Sequence, residues 1–165
     1  MNPLFSHVKQ HFASLRSQQK WAFIWRVWIE TTLFAYIVAN ILQAILRSPG
    51  RTDLDGYSPL ALVGLTVFVG PLFETLVFQC VALELAGSLR LRRFLQFAVS
   101  IVPFAIAHFF AGIPTFVSAG VIAGFYFAFT YDHWKQESFF VGVAMTFILH
   151  SSFNLVGVLG MLLLR

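Results

Sequence analysis

The sequence predicts an all-α fold, a polytopic bundle of about five transmembrane helices preceded by an amphipathic helix, and three observations carry that prediction. The 165 residues are 58% hydrophobic and only 11% charged, against about 45–50% and about 25% in ordinary soluble domains. The mean hydropathy is +0.78. The charged residues are bunched between long apolar runs instead of being spread over a water-facing surface. Disorder is excluded as well, because 20 Phe, 4 Trp and 4 Tyr are too much aromatic surface for a solvated coil.

Residues 1–20 form the first unit. Leu4, Phe5, Val8, Phe12 and Leu15 recur near helical spacing, with His7, Lys9, His11, Arg16 and Lys20 between them. That pattern describes an amphipathic helix suited to a membrane interface, a soluble-facing tail being the alternative. The stretch is too polar for the apolar core of a signal peptide.

Residues 21–165 read as a single transmembrane domain. The first span runs from Trp21 to Leu46 and opens on an interfacial belt of Trp21, Trp25 and Trp28. Arg26 and Glu30 are four apart and can pair on one helix face. A polar loop, 47–58, carries Pro49, Gly50, Asp53 and Asp55 as helix breakers. Further spans follow from Pro59 to Leu85, Phe94 to Ala111, Thr115 to Tyr131 and Ser138 to Leu164. The second and fifth spans would each reach about 40 Å at about 1.5 Å per residue. A hydrocarbon core of about 30 Å then requires tilt, a kink or an emerging end, and Pro71 is placed to kink the second span.

Charge orients the stack. Lys9, Arg16, Lys20, Arg90, Arg92, Arg93 and Lys135 fall on one side; Arg47, Arg51 and Arg165 fall on the other. The excess predicts a cytoplasmic N-terminus and an external C-terminus. The net charge of +4 therefore belongs to topology, and without a basic stripe or recognition module it does not indicate nucleic acid. Cys80 is the single cysteine, which excludes an internal disulfide and leaves it a packing residue.

Ionisable groups at membrane depth are costly and are functional candidates by default. Away from span ends these are Glu74, His108 and His150, accompanied by Thr75, Gln79, Ser151, Ser152 and Asn154. Glu84 lies near the cytoplasmic end, within reach of water or of the Arg90–Arg93 cluster, and reads as structural. No residue close in sequence can neutralise Glu74, so its partner must come from another helix. A neighbouring His sharing a proton with it would give a general base. Thr75 and Gln79 share a face, which makes Gln79 a candidate to orient the surroundings of Glu74 or a substrate amide. His150 and Asn154 are also four apart and face one direction. One Glu, two His and one Asn from three helices suit a water-activating site with donors for an oxyanion. Interhelical hydrogen bonding and a proton or ion path are the other uses of such groups.

These motifs resemble, in their order, the CPBP family of intramembrane endopeptidases, which includes type II CAAX prenyl proteases and bacteriocin-processing homologues. That family carries EExxxR, then FxxxH, then HxxxN or HxxxB on successive spans. The counterparts are Glu74–Gln79 (ETLVFQ), Phe104–His108 (FAIAH) and His150–Asn154 (HSSFN). The Gly120-xxx-Gly124 stretch and Phe129-Thr130-Tyr131 also look like the region before the last motif. The likeness covers roughly residues 59–157. It departs at the first motif, where Thr75 replaces the second Glu and Gln79 the Arg. Losing both charges together leaves neither stranded in lipid.

The resemblance implies a hydrolase, a glutamic-type intramembrane protease that cuts a membrane-associated protein or peptide within the lipid bilayer of a bacterial inner membrane. Glu74 would be the base, His108 would help hold water, and His150 and Asn154 would stabilise the oxyanion. Thr75, Gln79 and Phe104 would support them. No cofactor is implied. Zinc is the alternative for a Glu/His/His set, against which stand the lack of HExxH and the poor ligand quality of Asn. A non-catalytic immunity or regulatory protein on the same scaffold is the rival reading, and a small transporter is a second.

Overall fold

Helices account for every regular element in the computed structural model, which describes residues 3–47 and 56–163. In chain order they are α1 (Pro3–Arg16), α2 (Lys20–Leu46), α3 (Pro59–Ser88), α4 (Arg93–Phe109), α5 (Ile113–Trp134) and α6 (Phe139–Leu163). Four of them, α2, α3, α5 and α6, are long and apolar enough to cross a membrane, and α4 is apolar but shorter. Large side chains such as Leu60, Phe73, Phe110 and Phe140 are exposed on the outside of the bundle. In water they would make an aggregating surface; against lipid tails they are the solvent-facing side. The protein is an integral membrane protein with a helical-bundle fold. Residues 48–55 of the expected polar loop, together with Arg51 and Arg165 of the charge comparison, lie outside the described residues.

The helix boundaries follow local chemistry. Ser58 caps α3 by accepting a hydrogen bond from the Ala61 amide, and Pro59 occupies the first helical position, where its missing N–H costs nothing. Between α4 and α5 the chain reverses through Gly112, whose φ of 98° a side chain would make strained.

Close packing between α4 and α5 depends on two glycines. A Cβ at Gly120 would sit 2.6 Å from the Ala105 Cα, and one at Gly124 would sit 2.7 Å from the Phe104 Cδ1. The Gly120-xxx-Gly124 pair therefore brings two helices of the same chain together. Phe104 is fully buried as a result, in a core shared with Phe127, Leu149 and Phe153.

At the arginine-rich end, the buried carboxylate of Asp132 receives Arg16 from α1 at 3.1 Å and Arg93 from α4. Lys20 pairs with Glu137 beside it. Arg16, Lys20 and Arg93, three of the basic residues assigned to one side, thus gather at one end of the bundle. Leu15 of α1 is fully buried and Phe12 packs on Phe125, Tyr126 and Phe129, whereas Phe5 and Val8 stay exposed. The predicted Arg26–Glu30 pair forms at 3.3 Å, and Cys80 is a buried packing residue.

Candidate functional site

The local structure of α3 is widened on both sides of Glu74, as α5 is over Phe116–Ala123. Two wide π-helical stretches, Gly64–Val69 and Thr75–Val81, flank the α-helical Gly70–Glu74. Such widened turns change which residues share a face and concentrate at functional sites. Glu74 lines a cavity of about 350 Å³, as do His108 of α4 and Asn154 of α6.

His150 stands behind Glu74. Its Nε2 is 3.4 Å from Glu74 Oε2, and its Nδ1 is 3.5 Å from the Thr75 hydroxyl. The ring is buried, stacked on Phe127 at 4.2 Å between centroids with Phe104 edge-on at 5.7 Å. Two aromatic walls and two polar partners leave the imidazole a single orientation.

His108 is held differently. Its Nδ1 lies 2.9 Å from the Phe104 carbonyl one turn earlier. A carbonyl only accepts, so in the neutral ring Nδ1 carries the proton and Nε2 keeps the lone pair. Straight cylinders would leave His108 at a different depth from Glu74 and His150. Instead α4, with 17 residues, spans only about 26 Å at about 1.5 Å per residue. Packed in the bundle, its C-terminal turn brings His108 to the same cavity as Glu74.

Asn154 donates from its amide to the Thr66 carbonyl at 2.8 Å. The reason lies in α3. In the first π stretch Gly70 N–H bonds the Leu65 carbonyl five residues back, so the partner due to Thr66 is residue 71. That residue is Pro71, which has no N–H. Asn154 supplies the missing donor from another helix. A double-mutant cycle checks this: Asn154→Ala is expected to destabilise the protein by about 1 kcal/mol. It is expected to cost clearly less in a Pro71→Ala background, where the backbone donor is restored. Unfolding midpoints of the four proteins in detergent measure the coupling.

Gln79 is not brought to Glu74. Thr75 and Gln79 are both fully buried, but Gln79 is not part of the cavity wall and neither of its amide atoms has a hydrogen-bond partner among the described residues. Glu84 pairs with Lys135 at 3.2 Å and accepts a bond from the Tyr131 hydroxyl at 2.9 Å. Of the two settings read from sequence, water or the Arg90–Arg93 cluster, the half-exposed Glu84 has water, and its ion-pair partner is Lys135. Glu84→Gln keeps an acceptor for Tyr131 far from the cavity, so activity measured on any substrate is expected to change less than about twofold.

The sequence reading missed the contribution of α2, which lies outside the family-like stretch yet supplies Tyr36 and Gln43 to the cavity wall. Their seven-residue separation puts both on one helix face, and that was the available signal. Among the described residues no group of three or more His, Cys, Asp or Glu side chains is placed to hold a metal ion.

Neither the curated proteins nor the solved structures contain a match to this chain. A family match does exist, and it spans residues 56–156, more than half of the chain, including all three motifs. By that match the chain belongs to the type II CAAX prenyl endopeptidase Rce1-like family.

Proposed function

We propose that this protein is a glutamic-type intramembrane endopeptidase that hydrolyses a peptide bond of a membrane-associated protein or peptide. One arrangement carries the reading: Glu74, His108 and Asn154 line a single cavity, with His150 within 3.4 Å of the Glu74 carboxylate. Glu74 takes a proton from water, which the lone pair on His108 Nε2 helps to orient. Hydroxide then adds to the substrate carbonyl, and the negative charge moves from Glu74 to the new oxyanion. His150 N–H and the second amide N–H of Asn154 follow that charge as donors. The proton held by Glu74 passes to the departing amine as the C–N bond breaks.

Cleavage by the purified protein in liposomes, using a quenched fluorescent peptide with an apolar membrane-embedded segment, tests this reading. Turnover that depends on Glu74 supports it. A biological phenotype unaffected by Glu74→Gln points to the non-catalytic reading, and pH-driven flux without cleavage points to a transporter. The route is metal-free: activity is expected to persist in a chelator, and loss that zinc restores would replace it with a metal mechanism. The clustering of Arg16, Lys20, Arg93 and Lys135 at one end supports a cytoplasmic placement of that end.

A further inference from the structure

Threonines buried in helices usually return their hydroxyl to the carbonyl four residues earlier. Thr31, Thr66, Thr115 and Thr146 do so here, whereas the hydroxyls of Thr32 and Thr130 have no hydrogen-bond partner among the described residues. Thr75 does neither. Its hydroxyl, fully buried, faces His150 Nδ1 at 3.5 Å. The opposite nitrogen of the same ring faces Glu74 at 3.4 Å.

A neutral imidazole carries one N–H, and an ionised carboxylate only accepts. With Glu74 ionised, the ring proton must sit on Nε2, which leaves Nδ1 an acceptor. The Thr75 hydroxyl is then the donor that satisfies it. A carboxylate at position 75, itself only an acceptor when ionised, would favour the opposite tautomer. The burial of the ring between Phe104 and Phe127 denies Nδ1 any easy substitute.

We propose that Thr75 is a positioning residue: its hydroxyl donates to His150 Nδ1, holding His150 as the Nε2–H tautomer whose N–H faces Glu74. The consequence for catalysis rests on the proteolytic reading above, but the tautomer does not. In this arrangement the two histidines are complementary. His108 presents a lone pair to the cavity, while His150 presents an N–H to Glu74 at the cavity's edge, so one can orient water and the other can follow the charge as it leaves the carboxylate.

The test is nitrogen NMR of histidine-labelled protein in detergent micelles, with the His150 resonances identified by their loss in His150→Asn. Wild type is expected to show a protonated Nε2 and an unprotonated, hydrogen-bonded Nδ1. Thr75→Val, which keeps the shape but removes the hydroxyl, is expected to shift the signals toward mixed tautomers. Thr75→Ser is expected to retain the wild-type pattern. Cleavage of the reporter peptide should fall about tenfold in Thr75→Val, one neutral hydrogen bond's worth, and stay within about twofold in Thr75→Ser. A protonated Nδ1 in wild type, or an unchanged His150 spectrum in Thr75→Val, overturns the proposal. Should Thr75→Val not fold, the wild-type spectrum still decides the tautomer. A wild type that cleaves nothing yet shows the Nε2–H form defeats the proteolytic reading and leaves the tautomer assignment standing.

Discussion

Replacing Glu74 by Gln is expected to reduce cleavage by about 10⁴-fold, the upper range for a positioned general base. The side chain keeps its length, and the amide oxygen still accepts a bond from His150 Nε2. What disappears is the ability to take a proton from water. Since the substitution also removes a charge from the membrane interior, no loss of folding is expected. Insertion and the unfolding midpoint in detergent should match wild type while product formation drops to background. Retained proteolysis in a folded Glu74→Gln protein would sink the mechanism.

Second in size is a contrast between the two histidines. His108→Ala and His150→Ala are each expected to lower turnover by several orders of magnitude, combining lost proton handling or oxyanion donation with disordered neighbours. Their effects on stability should differ. His108 sits on the cavity wall and gives up one bond to a carbonyl, a loss of about 1 kcal/mol. His150 is 1% exposed and stacked on Phe127. Emptying its site opens a hole in the core, at a cost of about 2–5 kcal/mol on the scale of large-to-small core substitutions. Parallel measurement of turnover and unfolding midpoints separates the two. Equal destabilisation by both variants would contradict the described burial.

Much of this molecule was legible in the sequence because lipid is an unforgiving solvent. Apolar runs had to be helices, since an unpaired backbone has no partner in hydrocarbon. For the same reason Glu74, His108 and His150 stood out against so few charges. The π-helical stretches of α3 were not legible. No residue pattern in ETLVFQ announces a widened turn, and none shows that the buried amide of Gln79 is left without a hydrogen-bond partner among the described residues. The contribution of Tyr36 and Gln43 was overlooked because uncharged polar residues in an apolar span carry only a weak signal.

Asn154 shows where the two levels meet. Its spacing from His150 is a property of the chain, and so is the missing N–H of Pro71. That the amide of one satisfies the carbonyl left open by the other is a fact only of α6 lying against α3. The sequence by itself determined the solvent, the helical class, the candidate polar residues and the family motifs, because each follows from composition or from spacing along one helix. Tertiary packing decided the convergence of His108 and Glu74 on one cavity and the partners of Asp132 and Glu84. It also set which face each histidine nitrogen presents. Those depend on distances between segments far apart in the chain, which local periodicity does not encode.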